Sequence, residues 1–184
     1  KFVPAADWFL PISSDPLPDE LAGHGLAKLC WEGIEAEKFM DSHAHIGGMG
    51  DSGSGIEVNP DNKSLMHPVR FTKLQLYMRA GGIKGKGRSD VQYLDRLINL
   101  MDDFPEGAKV MLLTLDYAYD EGGQRQPELS AFYTPNQYGA SLSREFPDRF
   151  EWAASVHPYR DDAVEELEWA KENGAKAVKW IPSA

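Results

Sequence analysis

One cysteine, Cys30, stands in a chain of 184 residues. It cannot form an internal disulfide, which suits a reducing, cytoplasmic compartment. No apolar run approaches the ~20 residues needed to cross a bilayer, so no membrane partner is expected. The start, Lys1-Phe2-Val3-Pro4, has neither a signal-peptide pattern nor an initiator Met, which hints at an incomplete N-terminus. Acids are missing between Asp61 and Asp90, where Lys63, Arg70, Lys73, Arg79, Lys84, Lys86 and Arg88 stand instead. That stretch reads as a solvated helix face and loop, with an anion-attracting rim or a subunit contact as the sharper alternative. Internal repeats and low-complexity segments are also lacking, so nothing argues for a solenoid. What is present points to a folded domain: 42% hydrophobic residues and five tryptophans suffice for a real core. Lys+Arg 19 against Asp+Glu 29 gives a net charge of -10, which repels phosphate backbones and speaks against nucleic-acid binding.

Residues 1–38 open with Pro4, Pro11, Pro16 and Pro18, which disfavour regular structure. A short helix over 19–29 follows, and the segment reads as a lead-in packed on a larger body. His24 there is an ordinary surface or capping residue. The body, residues 39–184, alternates strands and helices. Strands are expected over 39–46, 109–116, 150–157 and 175–181, the second a near-continuous apolar run of the kind buried on both faces. Helices are expected over 68–80, 89–104, 135–146 and 161–173. Pro68 suits a first turn, Ser89-x-x-Gln92 has the form of a capping box, Thr134-Pro135 caps the next helix, and Gly174 follows the last. The glycines from Gly47 to Gly55 read as a long flexible loop. This order means an α/β protein with a parallel sheet and right-handed crossovers, either doubly wound or part of a (β/α)8 barrel.

Two nucleotide signatures fail on mechanism. Gly48-x-Gly50-x-x-Gly53 follows a strand, but no helix start comes directly after it, and no acid lies about 20 residues on to hold a ribose. Gly81 to Lys86 has the wrong spacing and no Ser or Thr after the lysine. More specific is His43-x-His45 at a strand end. Period-2 alternation puts Asp41, His43 and His45 on one face and Met40, Ser42, Ala44 and Ile46 on the other. Neutral imidazoles suit Zn, Fe, Mn or Ni, and the spacing lets two reach one ion. Two histidines satisfied by hydrogen bonds are the plain alternative.

Met40-Asp41-Ser42-His43-Ala44-His45-Ile46-Gly47, with Ser155-Val156-His157-Pro158-Tyr159-Arg160 and the run from Gly174 through Lys179 to Pro182, resembles the amidohydrolase superfamily of metal-dependent hydrolases. The likeness is to the amidohydrolase-2 branch, which includes decarboxylases of the aminocarboxymuconate-semialdehyde type, and it covers roughly residues 38–184. It implies a (β/α)8 TIM barrel with a divalent metal, zinc foremost, at the C-terminal strand ends. His43 and His45 would be the first-strand ligands. Further histidines would come from the fifth and sixth strands and a catalytic aspartate from the eighth. None of those strands is expected here, so the chain reads as a fragment: the first four strands of a barrel behind an irregular N-terminal segment.

Lys179 shares a face with Ala175, Ala177 and Ile181, so it can point into the barrel mouth. Carbamylated, it would be a further metal ligand; as a free ammonium, it would bind a substrate carboxylate; snorkelling at a strand end is the plain alternative. His157, Asp116 and Tyr117, at the ends of the third and second strands, are candidate substrate-binding residues by position. TatD-type deoxyribonucleases share the Asp-x-His-x-His opening but place a glutamate on the fourth strand. Polymerase-and-histidinol-phosphatase domains need later His and Asp clusters. The expected function is hydrolysis of a small-molecule amide, ester or lactone by metal-activated water. A decarboxylase on the same site, or a truncated scaffold without catalysis, are the alternatives. The chain alone is expected to bind metal weakly, to lack turnover and to self-associate.

Overall fold

The computed structural model describes residues 18–84 and 87–181. Pro4, Pro11, Pro16, Lys86 and Pro182, all used in the sequence reading, lie outside those residues. The chain is a mixed α/β protein built on a curled, parallel, four-stranded half-barrel sheet. Its strands are β1 (Met40–His45), β3 (Lys109–Leu113), β7 (Phe150–Ser155) and β8 (Ala177–Lys179), hydrogen-bonded in the order β1-β3-β7-β8. Each strand pairs with the one before it in this series, so every connection is a crossover of the same kind. The strands are one to three residues shorter at their ends than the apolar pattern predicts. Pairing stops where the chain must turn: Leu115, for example, leaves the parallel ladder to form an antiparallel bridge with Thr134. β1 and β8 are the two edges of the sheet.

The core lies between the sheet and its helices. Val110, Leu112, Phe150, Trp152 and Ala154 alternate onto one face and are almost fully buried, together with Ala140, Leu142, Ala170 and Met101. The last four come from α5 (Asn136–Glu145), α6 (Ala163–Glu172) and α4 (Ser89–Met101). Gly139 of α5 has to be glycine, because a Cβ there would meet the Thr114 side chain at 2.7 Å and Trp152 at 3.2 Å. The other helix after β1 is α3 (Pro68–Ala80), in which Leu74 is the buried residue. Two short antiparallel pairs join the loops above the sheet: β2 (Glu57–Val58) with β6 (Phe132–Tyr133), and β4 (Ala118–Tyr119) with β5 (Arg125–Gln126). No described helix is long and apolar enough to cross a membrane.

Four local expectations need correction. The helix over 19–29 is two short ones, α1 (Asp19–Ala22) and α2 (Gly25–Leu29), broken where the His24 ring accepts the Leu26 N–H at 3.2 Å and caps α2. Neither buries a residue; the lead-in is held by Trp31, packed on Phe39 and Phe104 at centroid distances of 5.0 and 5.4 Å. Thr134 supplies no side-chain cap to α5, whose N-cap residue is Pro135. The capping box Ser89-x-x-Gln92 does not form either. Ser89 gives both its N–H and its hydroxyl to Asp51, each at 2.8 Å, and Gln92 accepts the Lys84 N–H instead.

The fourth correction concerns the glycine loop, which is clasped rather than loose. The Asp90 carboxylate, 1% exposed, accepts the N–H groups of Met49, Gly50 and Ser52 at 2.8, 2.9 and 3.1 Å and the Ser54 hydroxyl at 2.6 Å. Asp51 in that loop returns the favour by capping the start of α4. Backbone amides gathered by glycines do form an anion cradle here, as in phosphate-binding loops. The anion they hold is the protein's own.

Candidate functional site

The site begins with an irregularity in β1. Asp41 lies opposite Val110 and Ala44 opposite Leu112, so three steps on β1 match two on β3, and one residue at Ser42–His43 is extra. Such a bulge re-aims the side chains beside it. Asp41 stabilises it by accepting the backbone N–H of His43 at 3.0 Å. Asp41 therefore shapes the strand through the His43 main chain.

Beyond the bulge the two histidines converge. Their rings are 5.0 Å apart and their Nε2 atoms 3.1 Å apart. An ion at ordinary zinc–imidazole distances of ~2.0–2.1 Å from both nitrogens would subtend an angle of roughly 100°, close to tetrahedral. The pair thus fits one edge of a divalent-metal site. The His45 pKa lies below the usual histidine value, from burial first and then from the Lys179 and His43 charges, a shift that favours the neutral ring a ligand requires. Among the described residues no group of three His, Cys, Asp or Glu side chains is placed to hold an ion.

Lys179 completes the cluster from the far edge. β1 and β8 are three strand spacings apart, about 14 Å in a flat sheet, yet Lys179 Nζ lies 3.5 Å from His45 Nδ1. Only a sheet curled into a trough brings those side chains together. Burial lowers the Lys179 pKa. The contact also assigns protons. An ammonium has donors only, so when Lys179 donates to Nδ1, the His45 proton sits on Nε2 and points to His43. That gives a self-consistent chain, Lys179 to His45 to His43. A metal on Nε2 of His45 needs the other tautomer, with Nδ1–H facing an acceptor. A carbamylated lysine would be such an acceptor, while an ammonium competes with the metal.

Lys179, His157, Asp116 and Tyr117 all line one cleft of about 220 Å³ at the C-terminal ends of β3, β7 and β8, with Tyr159 and Trp180. The structure brings the four sequence candidates together, but they differ in freedom. The Asp116 carboxylate is buried and engaged: it accepts the N–H of Tyr117 at 2.8 Å, the N–H of His157 at 2.9 Å and Arg160 Nη1 at 3.1 Å. It ties the end of β3 to the end of β7. His157 accepts the Tyr159 N–H on Nδ1 at 3.2 Å, so in the neutral ring Nε2 carries the proton and is a donor. The Tyr117 ring stacks on Tyr133 at 4.1 Å under Arg125. Its hydroxyl is buried beside Glu57, and burial, then Glu57, pushes its pKa well up.

A second, larger cavity of about 570 Å³ opens on the other side of the cluster, walled by His45, Met78, Tyr93, Leu97, Leu113 and Phe132. The sequence reading had no residue for it, because its wall is assembled from six separate segments. Tyr93 is central. Its ring is wedged where a Cβ on Gly47 or Gly81 would come within 2.9 or 2.8 Å, and its hydroxyl donates to the His45 carbonyl at 3.0 Å. Asn136 was also missed. It accepts the Thr114 hydroxyl at 2.7 Å and the Ser155 N–H at 2.9 Å, and donates to the Ser155 carbonyl at 3.1 Å, which locks two strand ends beneath the cleft. Its position just after Thr134-Pro135 reads only as a helix start. No protein-family model, curated protein or solved structure matches this chain.

Proposed function

We propose that this chain is the N-terminal part of a metal-dependent hydrolase of the amidohydrolase type, its four parallel strands being the first four of a (β/α)8 barrel. The observation that carries the reading is the convergence of the His43 and His45 Nε2 atoms to 3.1 Å at the C-terminal end of the first strand. Catalytic groups of such barrels gather at that end. His43 and His45 would hold a divalent ion, zinc foremost, with the His45 proton on Nδ1 and the Lys179 ammonium turned from that nitrogen towards the substrate. A bound ion there would polarise a carbonyl and acidify water towards pH ~7. The chain's own residues do the rest. Tyr93 fixes the His45 main chain, Asp116 fixes the main chain of His157, and His157 and Lys179 present donors to a small-molecule substrate in the cleft between them.

Zinc titration followed by a chromophoric chelator tests this on the full chain and its His43→Ala and His24→Ala variants. The wild type and His24→Ala bind alike, and His43→Ala loses about tenfold or more in affinity, as expected when one imidazole of a small ligand set is removed. Equal zinc affinity for His43→Ala and the wild type would overturn the ligand assignment. Two imidazoles make a weak site on their own, so micromolar rather than picomolar binding is expected of the chain tested by itself.

A further inference from the structure

The two cavities share one divide. His45 walls the larger, Lys179 walls the smaller, and the two side chains touch at 3.5 Å. Their linings differ in kind. The larger is formed mainly by hydrocarbon, including the buried Leu74, Ile56, Ile83 and Leu113, while its charged residue, Arg96, lays its stem along Gly82. The smaller offers the Lys179 ammonium and the His157 ring at three strand ends, while its one carboxylate, Asp116, is paired with Arg160. At about 570 Å³ the apolar cavity falls within the usual 300–1,000 Å³ of small-molecule pockets, and the polar one at about 220 Å³ falls below it. One holds the body of a ligand; the other holds a group the size of a carboxylate.

The apolar cavity is also built, not left over. The ring of Tyr93 fills the space that two glycines leave open, and its hydroxyl ties that wall to the strand carrying the histidines. A ligand in contact with Tyr93 therefore sits in fixed register with His45.

We propose that the site takes an amphipathic carboxylate: an alkyl or aryl body in the cavity around Tyr93 and Leu97, and its anionic end at Lys179. The scissile carbonyl of a true substrate then lies between them, at the histidine pair. This rests on the hydrolase reading for the carbonyl's position alone, since the binding of body and carboxylate needs no metal.

Isothermal titration of the full chain with straight-chain alkanoates from butyrate to decanoate tests it, with alkylamines of equal length as the charge-reversed probes. Affinity for the acids should rise about fourfold per methylene until the cavity is full, and the amines should bind at least tenfold more weakly. Met78→Trp should abolish the dependence on chain length. Ala80→Leu, at an exposed position on the rim, should shorten the optimal chain and guards against misfolding of the first variant. Lys179→Met should weaken all acids by a similar factor and erase their advantage over amines. The same titrations with a metal chelator present should give the same affinities, so a failed metal assignment and a failed pocket assignment give different results. A flat response to chain length in the wild type, or an unchanged response in Ala80→Leu with the fold intact, would overturn the proposal. So would equal affinity for acids and amines.

Discussion

Replacing Asp90 by alanine should strongly destabilise the glycine loop and, with it, the chain. The carboxylate is 1% exposed and accepts four hydrogen bonds, three from loop amides and one from Ser54. Hydrogen bonds to a charged acceptor are worth about 1.5–3 kcal/mol each, and simple addition gives about 6–12 kcal/mol. That sum is too large, because the bonds are not independent and the loop amides are only partly buried, so water can reach some of them once the carboxylate is gone. The closer guide is the cost of removing one side of a buried charged pairing, about 3–5 kcal/mol. With a urea m value near ~2 kcal/mol/M, the unfolding midpoint should fall by roughly 1.5–2.5 M. Asp90→Asn should be nearly as harmful, since its amide turns a donor towards donors. Hydrogen exchange separates this from general destabilisation. At low denaturant the amides of Met49, Gly50 and Ser52 should lose protection first, while those of β3 and β7 remain slow. A midpoint within 0.5 M (~1 kcal/mol) of the wild type, or unaltered protection of those three amides, would show that the loop is not held by Asp90.

Other outcomes follow from the same geometry. Gly50 has φ +73°, and a Cβ there would lie 2.0 Å from the Ile56 carbonyl oxygen, so Gly50→Ala should cost at least ~2 kcal/mol in urea unfolding by combining left-handed strain with a backbone clash. Burial alone would raise the Asp51 pKa, but bonds from Ser89, Gly87 and Asp90 outweigh it and hold the pKa below the ordinary carboxylate value. The stability from Asp51 is therefore present above the unfolded-state pKa and lost as pH falls through the lowered one; thermal melts of Asp51→Asn should show a shallower acid-side decline below pH ~4. Trp31→Ala removes both aromatic contacts that anchor the lead-in, worth about 1–3 kcal/mol together. Limited proteolysis should then cut within 18–38 first and leave the body intact.

Much of the frame was legible in the chain itself. The apolar run from Lys109, the position of Pro68 and the glycine after Asn173 report on neighbours one to four residues away, and local periodicity encodes those. The His43-x-His45 pair was legible for the same reason, since two residues on one strand share a face whatever surrounds them. The joint lining of one cleft by Lys179, His157, Asp116 and Tyr117 was reachable from the rule that strand ends cluster. Their unequal roles were not. Asp116 is spent on the main chain of His157 and on Arg160, partners 41 and 44 residues away.

Tertiary structure decided what depends on pairing across such distances. The bulge at Ser42–His43 exists only in register against β3. The approach of Lys179 to His45 exists only because the sheet curls, and the apolar cavity only because Tyr93 settles between Gly47 and Gly81. The glycine loop shows the division most clearly. Its composition reads as a flexible loop, and nothing nearby says that an anion gathers its amides. A carboxylate 36 to 41 residues further along fills it, and that choice belongs to the fold, because electrostatic partners are selected by proximity in space and not along the chain.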